Sequence, residues 1–517
     1  MELLGLMVLI FSVAVACYYG WKVFNSLWLW PKRVEKCLRK QGLKGNSYRI
    51  FFGDYKEMAR LLKEAHSKPM TGFSNDTAAR LVPAQVHSLA KYGKNSFHWF
   101  GPVPGVIVLE PEHIQEILSK NYIYIRVPMS PLSQRMARGI TWLEGDKWAK
   151  RRKLMGPTFY VEKLKLMVSS FHLCCSNLLS KWEEIIPNEG AFELDVWPYF
   201  KGFTSDVISH TAFGSNYEEG RTIFELLEEK SYLLIKVLNS VYIPGSIFLP
   251  TKQNRRLHEL ERTLESVVTR VVDKRMKLLN AGGSCGDDFL GLLLESNIKK
   301  TEIGGDNFGL SIEEIIDECK DLYLAGSDTT SMLLVWTMVL LGKHTDWQSR
   351  AREEVLQLFG KRTPDYQELS HLKIVTMILH ETLRLYPPVI KLSRMAIEEC
   401  KLGDLTIPAG VRFQLPIILM HQDKKIWGDD ATEFNPSRFS KGVSHATQGR
   451  PVYMPFGAGP RICLGQNFAM VESKLAIAMI LQRYTFTLSP SYTHAPMSIF
   501  TLSPQHGAHI MLEKIKA

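Results

Sequence analysis

A single cysteine stands in the glycine-rich stretch PFGAGPRICLG, residues 455–465. No second cysteine or histidine follows at the spacing of a zinc-binding pair, so the thiol of Cys463 is expected to act alone. The glycines permit backbone conformations that a Cβ atom resists, and Arg461 supplies a fixed positive charge near the sulfur. The helical pattern that follows places Cys463 at a helix N-terminus, where free N–H groups favour a thiolate. This loop therefore suits a thiolate that binds a metal ion or meets a counter-charge.

A second stretch, AGSDTT at 325–330, lies in the middle of a long predicted helix. Gly326 costs that helix about 1 kcal/mol relative to alanine. A buried acid or hydroxyl is also unfavourable unless it is hydrogen-bonded, so Asp328 and Thr329 are expected to have a role beyond packing. The alternative is that the threonine hydroxyl donates back to the preceding helical turn.

The pattern F-x-x-G-x-R-x-C-x-G, which begins at Phe456 and ends at Gly465, resembles the haem-binding loop of the cytochrome P-450 superfamily. The resemblance implies that the Cys463 thiolate is the axial ligand of the iron of haem b. A thiolate ligand pushes electron density onto iron and favours O–O cleavage. In this family the segment that AGSDTT resembles forms the oxygen-binding groove, which implies that Asp328 and Thr329 deliver protons to dioxygen.

Two further stretches, WAKRR at 148–152 and KLSRM at 391–395, contain residues that the family places beside the haem. Guanidinium groups suit the haem propionates, because their fork of donors matches a carboxylate. The resemblance implies that the residues meeting the propionates are Trp148, Arg152, Arg394 and Arg461. Lys150 and Arg151 are expected to form a surface for an acidic partner.

The stretch HETLRLYPP at 380–388 places Glu381 three residues before Arg384, which allows an ion pair on one helical face. By itself such a pair is usually an exposed surface bridge. Together with Arg438 of FNPSRF, the pair resembles the family's Glu–Arg–Arg cluster, which secures the fold around the cysteine loop. We therefore interpret these three residues as structural rather than catalytic.

The resemblance covers essentially the whole chain. Finer features, such as FLPTKQNRR at 248–256, are similar to the plant subgroup that includes secologanin synthase. Members of that subgroup oxidise terpenoid-derived molecules: iridoids, triterpenoids, steroids and gibberellins. The sequence departs from the subgroup at Ser327 and Asp328, where a larger residue and a glutamate are commoner. The departure leaves the details of proton delivery and pocket shape open, and the resemblance does not select a substrate.

The composition is that of a globular protein with a large core: of 517 residues, 45% are hydrophobic and 22% charged. The formal net charge is +10, but basic and acidic residues alternate along the chain. This pattern favours an anionic membrane surface or an acidic protein partner over nucleic acid. The eight cysteines lack the spacing of a disulfide framework, which favours a reducing compartment.

The N-terminus predicts a membrane anchor. Residues 3–21 contain no charged side chain and are close to the length that spans a bilayer core. Basic residues begin at Lys22, which by the positive-inside rule places the rest of the chain in the cytosol. A cleaved signal peptide is the alternative, but it would need a positive charge where only Glu2 is found. We expect a single-pass anchor at 1–30 in the endoplasmic reticulum membrane and one catalytic domain at 31–517.

Helical periodicity dominates the remainder and predicts a mainly α fold with minor β, as in the cytochrome P-450 fold. The clearest helices are predicted at 263–279, 311–343 and 346–360. Ser311 and Glu314 have the spacing of a capping box. Two β-hairpins are predicted at 97–110 and 405–417, and an exposed loop at 281–309.

The sequence thus predicts a monomeric, membrane-anchored haem-thiolate monooxygenase that inserts one oxygen atom from dioxygen into a hydrophobic, terpenoid-derived molecule. Electrons are expected from NADPH through NADPH-cytochrome P-450 reductase. The pocket is expected to be largely apolar and to be formed by residues 127–140, 324–329, 389–392 and 497–502. Lys391 is the exception, because it could bind a substrate carboxylate or extend towards water.

Two alternatives have different chemistry. One is a haem-thiolate isomerase or dehydratase that needs neither dioxygen nor a reductase, and the other is a non-enzymatic haem-binding protein. The Asp328–Thr329 pair argues against both, because neither needs protons delivered to dioxygen. Oxygen consumption that depends on NADPH would separate a monooxygenase from either alternative.

Overall fold

The structure is a computed structural model of the 517-residue chain. The residues described are 2–70, 72–128, 138–214, 217–238, 249–282, 288–304 and 309–515. Most of the expected pocket segment at 127–140 therefore lies outside the described residues.

Helices dominate the described chain, and the prediction of a mainly α fold with minor β is confirmed. The α-helices are α1 Glu2–Phe24, α2 Trp30–Lys40, α3 Tyr55–Ser67, α4 Ala78–Leu81, α5 Pro83–Tyr92, α6 Pro111–Ser119, α7 Gly145–Met155, α8 Val161–Ile185, α9 Val196–Phe213, α10 Tyr217–Leu238, α11 Lys252–Asn280, α12 Phe289–Gly304, α13 Ile312–Lys343, α14 Thr345–Phe359, α15 Lys373–Leu385, α16 Ile417–His421, α17 Lys424–Trp427, α18 Val443–Ala446 and α19 Gln466–Arg483. They enclose one large apolar core.

The strands are short and lie mostly beside a second, smaller core. They are β1 Phe97–Phe100, β2 Val103–Ile107, β3 Tyr124–Ile125, β4 Phe192–Asp195, β5 Leu392–Ala396, β6 Cys400–Leu402, β7 Leu405–Ile407, β8 Arg412–Leu415, β9 Tyr484–Leu488, β10 Pro496–Ser498, β11 Leu502–Pro504 and β12 His509–Lys514. A five-stranded sheet has the order β1-β2-β8-β5-β3, and a three-stranded sheet has the order β4-β12-β9. The pairs β6-β7 and β10-β11 complete the described sheets.

Of the two predicted hairpins, the first is confirmed and the second is wrong. Strands β1 and β2 pair antiparallel around a turn at Gly101, whose φ is +57°. Strands β7 and β8 do not pair with each other: β7 pairs with β6, whereas β8 lies between β2 and β5 in the larger sheet. The stretch at 405–417 thus forms two strands, as its composition predicts, but each of them pairs with strands outside that stretch.

Helix α13 crosses the large core and positions the second chemical motif. Its first turn contains the predicted capping box, in which Ser311 Oγ accepts from Glu314 N–H at 3.2 Å and Glu314 Oε2 accepts from Ser311 N–H at 3.1 Å. Its 32 residues extend about 48 Å at the α-helical rise. Nearly all of its second half is buried, so its high hydropathy reflects the protein core.

Among the described residues, the N-terminal helix and α13 are both long and apolar enough to cross a membrane. Their environments differ. The apolar side chains of α1 are exposed. A π-helical turn at Asn25–Leu29 joins α1 to α2 without interrupting the helical path. Helix α2 buries Val34 and Leu38 in the smaller core, so the chain joins the folded body soon after residue 30.

The expectation of an exposed loop at 281–309 is wrong in its main part, because α12 forms there. Phe289, Leu290 and Leu293 are buried in the large core. Those apolar residues decide the local structure, whereas the prediction followed the Gly, Asp and Lys residues around them.

Candidate active site

The loop around Cys463 is a tight turn that leads into α19. Cys463 N–H donates to Phe456 O at 2.9 Å, which closes the turn on itself. Gly457 and Gly459 have φ of +75° and +69°, a conformation that favours glycine. A Cβ atom on Gly459 would also lie 2.3 Å from the Leu118 carbonyl oxygen at the end of α6. The glycines therefore allow the loop to pack directly against the backbone of α6.

The sulfur of Cys463 faces an internal cavity of about 570 Å³. Burial raises the pKa of its thiol, while a backbone hydrogen bond from Gly465 and the charge of Arg152 lower it. The backbone N–H thus favours the thiolate as the sequence predicts, but for the free thiol desolvation outweighs it. A metal cation at Sγ would offset that desolvation, and the thiol is therefore suited to be a metal ligand.

Three largely buried guanidinium groups line the same cavity: Arg126, Arg394 and Arg461. Burial lowers the pKa of all three, and the charges of Arg126 and Arg461 help to bring that of Arg394 to about 10. Within the described chain, Nε of Arg126 and Nε of Arg461 are buried without a hydrogen-bond partner. This excess of buried donors and positive charge fits a ligand with two carboxylates, as haem has.

Arg461 is held in place by three neighbours. Its Nη2 donates to Leu143 O at 2.9 Å and to Glu144 Oε2 at 2.5 Å. Its guanidinium carbon lies 4.4 Å from the ring centroid of Trp148, within the range of a cation–π contact. The structure thus brings together Trp148 and Arg461, two of the residues expected to bind the cofactor.

The other two expected cofactor residues have separate positions. Arg394 is buried in β5 and donates from Nη1 to Ser393 O at 2.9 Å. Arg152 donates from Nη1 to Ile462 O at 2.6 Å, next to the cysteine. Both line the cavity, but Arg152 contacts the backbone of the cysteine loop rather than joining the three-arginine cluster.

Arg151 does not form the surface that the sequence predicts, because its side chain is buried. It donates from Nη2 to Glu314 Oε1 at 3.0 Å and pairs through Nη1 with Glu318. Both carboxylates belong to α13, so Arg151 ties α7 to that helix. The prediction failed because the helical pattern of WAKRR alone does not show which helix packs against it.

The middle of α13 passes close to α9 at the cavity wall. A Cβ atom on Gly326 would lie 2.5 Å from Cδ1 of Ile208, so the glycine lets the two helices approach. Thr329 lines the cavity, and its Oγ1 donates to Ala325 O at 2.7 Å, as in the alternative considered above. Asp328 is not among the described residues that line the cavity, and its Oδ2 accepts from Thr501 Oγ1 at 2.6 Å. The acid and the alcohol thus have different partners.

Glu381 and Arg384 form a buried ion pair rather than a surface bridge, since both side chains are fully buried. Arg384 donates from Nε to Glu381 Oε2 at 2.7 Å and from Nη1 to His421 O at 2.6 Å. Arg438 approaches Glu381 Oε1 at 3.4 Å. His421 in turn accepts from the backbone N–H of Met454 at 3.1 Å, directly before the cysteine loop. The cluster is therefore placed to support that loop.

The cavity wall contains parts of each expected pocket segment. Ala325, Gly326 and Thr329 line it from α13, and Phe500 and Thr501 line it from the C-terminal region. Val389, Lys391 and Leu392 contribute the segment before and at the start of β5. Of the 127–140 segment, the described residues that reach the cavity are Val127 and Ile140. Thr141 and Trp142, which follow the segment, also line it.

Sequence reasoning missed several residues of the site. Arg126 had one signal, a single basic residue among apolar neighbours in YIRVP. Thr501 lies in the expected pocket segment 497–502, but its contact with Asp328 gave no signal, because it arises only from packing across 173 positions. Ile208 and Phe289, which line the cavity from α9 and α12, have the pattern of ordinary core residues.

The sequence profile of the cytochrome P450 family matches residues 78–510, so this chain belongs to that family. The matched segment includes the cysteine loop, α13 and the buried Glu381 cluster. A cytochrome P450 structure, retinoic-acid-bound cyanobacterial CYP120A1, has a TM-score of 0.75, covering 92% of this chain and 99% of its own. The identity to it is 21%, so this comparison confirms the fold.

Full-length relatives narrow the family to the expected plant subgroup. The chain is 53% identical over 506 residues to cytochrome P450 CYP72A219 of Panax ginseng, covering 98% of each chain. It is 48% identical over 509 residues to 7-deoxyloganic acid hydroxylase of Catharanthus roseus, covering 97% of this chain and 98% of the relative. It is also 48% identical over 512 residues to secologanin synthase 1 of Catharanthus roseus, covering 98% of this chain and 97% of the relative. The subgroup prediction is confirmed.

The chain is therefore a cytochrome P450 monooxygenase that uses haem, dioxygen and electrons supplied by a reductase. Haem bound in this cavity would supply the activation of dioxygen, so that one oxygen atom of dioxygen can enter the substrate. The protein supplies the enclosed cavity, a thiol at one wall and cationic donors at another. The residues present fit the cofactor, because they offer both a metal ligand and partners for two carboxylates.

Proposed function

We propose that this monooxygenase oxidises a terpenoid-derived small molecule such as an iridoid, a steroid, a triterpenoid or a gibberellin. The observation that supports this most directly is the cavity of about 570 Å³ that reaches both Cys463 and Thr329. Its largely apolar wall suits a hydrophobic molecule beside the cofactor that the same cavity would hold. The names of two relatives, 7-deoxyloganic acid hydroxylase and secologanin synthase 1, support iridoids as one of these candidates.

In this proposal Cys463 is the axial ligand of haem b. The haem propionates and their surroundings are assigned to Trp148, Arg152, Arg394 and Arg461, and the cluster geometry adds Arg126. Trp148 acts by holding the guanidinium of Arg461 through its ring. Arg152 acts by holding the carbonyl of Ile462 and by placing positive charge near the sulfur.

Proton delivery to dioxygen is assigned to Asp328 and Thr329. The threonine presents its side chain to the cavity, and Ala325 O fixes the direction of its hydroxyl. Asp328 directly precedes Thr329 on α13, and its carboxylate is held by a hydrogen bond from Thr501. The shorter acid found here, in place of the commoner glutamate, is thus held by a hydroxyl outside α13.

Electrons are assigned to NADPH-cytochrome P-450 reductase, and the chain is proposed to act as a monomer in the endoplasmic reticulum membrane. Residues 1–30 form the anchor, and residues 31–517 form the catalytic domain. The exposed apolar surface of α1 and the buried residues of α2 support this division. The cytosolic side follows from the basic residues that begin at Lys22.

Co-expression with a plant reductase tests the proposal. Membranes are incubated with a panel of iridoid, steroid, triterpenoid and gibberellin substrates, and products are detected by mass spectrometry. We expect at least one product with one added oxygen atom or an oxidatively cleaved bond, formed only with NADPH and dioxygen. Membranes that contain the reductase alone are the control. A protein that binds haem but converts none of these classes, or converts them without NADPH, would contradict the proposal.

A further inference from the structure

Lys391 lies directly before β5 and lines the cavity that also contains Cys463 and Thr329. Lys391 has accessible surface where it lines the cavity, and burial within the protein lowers the pKa of its amine. Across the described chain, no carboxylate or other acceptor lies within hydrogen-bond or ion-pair distance of Nζ. An amine that loses hydration without gaining a partner is unfavourable, so the position calls for a ligand that supplies an acceptor.

The backbone around Lys391 is fixed on both sides. Leu502 N–H donates to Pro388 O at 3.0 Å, and Ile418 N–H donates to Ile390 O at 3.1 Å. The next residue pairs in register with Leu415 of β8. The base of the lysine side chain therefore cannot move away from the cavity without breaking strand pairing.

Among the described residues, His98 is a polar neighbour whose pKa Lys391 affects, and it carries no negative charge. Burial and the charge of the Lys391 amine lower the pKa of His98 on β1 to about 3, so the His98 imidazole is neutral. His98 contacts Gln414, whose Oε1 accepts from Gln85 Nε2 at 2.7 Å. These three side chains contact one another, Nδ1 of His98 is buried without a partner among the described residues, and none of the three is a counter-ion for the lysine.

Lys391 lines the cavity outside the three-arginine cluster. Burial lowers the pKa of Lys391, and burial together with the charges of Arg126 and Arg461 lowers that of Arg394. The cavity therefore has a second cationic position, bordered by the apolar side chains of Val389 and Leu392. A hydrophobic molecule with one acidic group would match this pattern.

We propose that Nζ of Lys391 binds a carboxylate of the substrate, so that the enzyme selects terpenoid acids over their esters. This inference rests on the proposed function, because it assumes that a terpenoid-derived molecule occupies the cavity. A charge-assisted hydrogen bond in a site shielded from water is among the stronger polar contacts. It would orient the molecule by its acidic end while its apolar body lies towards Thr329, in the part of the cavity that the cofactor leaves open.

The test measures ligand binding by the change in haem absorption, without NADPH or reductase. Wild type, Lys391→Gln and Lys391→Arg are titrated with 7-deoxyloganic acid, oleanolic acid and the methyl ester of each. We expect an acid to bind wild type at least about tenfold more tightly than its ester. Lys391→Gln should lose that preference with ester affinity unchanged, and Lys391→Arg should keep most of it. Lys401→Gln, which changes an exposed lysine on β6, is the matched control.

Four outcomes would overturn the inference. These are esters that bind as tightly as their acids, a preference that survives in Lys391→Gln, loss of haem from that variant, and failure of both acids to bind. Haem loss would assign the amine to the cofactor instead. Failure of the proposed function would be distinct, because it would appear as absent NADPH-dependent turnover even where the binding preference is intact.

Discussion

Asp328 and Thr329 are neighbours on α13 but hold their side chains through different contacts. Thr329 Oγ1 donates within its own helix, and Asp328 Oδ2 accepts from Thr501. If the carboxylate delivers protons, its direction depends on a hydroxyl that belongs to another part of the chain. Thr501 is then a positioning residue, and its hydroxyl is the group to change.

We predict that Thr501→Val uncouples the enzyme, whereas Thr501→Ser does not. Valine keeps the shape but removes the donor to Asp328, and positioned proton transfer contributes about 10²-fold or more to rate. Product formed per NADPH should fall by about an order of magnitude or more, with peroxide rising and the solvent isotope effect altered. Assays with the reductase measure all three. Equal coupling in Thr501→Val and wild type, or a serine variant as impaired as the valine variant, would contradict the role.

At the scale of elements, the cysteine loop depends on its contact with α6. Gly459 combines a positive φ with a backbone approach that leaves no space for a Cβ atom. Gly202 in α9 is different, because a Cβ atom there would meet nothing within 4 Å and the residue is exposed. Substituting each of the two glycines by alanine therefore separates the effect of crowding the loop against α6 from the general effect of replacing a glycine.

We predict that Gly459→Ala lowers the free energy of unfolding by at least about 2 kcal/mol and weakens haem retention, because the backbone of either the loop or α6 must shift. Gly202→Ala should instead raise it by about 0.5–1 kcal/mol, since alanine favours a helix. Denaturant unfolding and the ratio of haem to protein measure these effects. A Gly459→Ala protein as stable as wild type would show that the loop tolerates a side chain there.

The sequence was most informative where local pattern and chemistry coincide. Ser311 with Glu314 predicted the start of α13 correctly, and the spacing of Glu381 and Arg384 predicted their pairing. Prediction failed where partners come from distant parts of the chain. The strand stretch at 405–417 has the right composition, but β7 and β8 pair elsewhere. For the same reason neither the burial of Arg151 nor the contact of Thr501 could be predicted from spacing.

At the scale of the whole molecule, the cavity is bounded by elements of both cores. Helix α13 belongs to the large helical core, whereas β8 packs its Phe413 into the smaller core that also contains Val34 and Leu38 of α2. Helix α2, which continues from the exposed apolar α1, therefore packs in the same core as β8. Strand β8 pairs with β5, the strand that carries Arg394. Helix α2 and strands β8 and β5 thus link the N-terminal helix to one wall of the site.

The assignment of the whole site depends on Cys463, and the carbon-monoxide difference spectrum of the reduced protein tests it most directly. Wild type and Cys17→Ala, a control at an exposed cysteine, should both show the absorption band of thiolate-ligated haem. Cys463→Ala should lose that band entirely, whether or not it retains haem. A thiolate band that survives in Cys463→Ala would contradict the account, because it would place the iron ligand elsewhere in the chain.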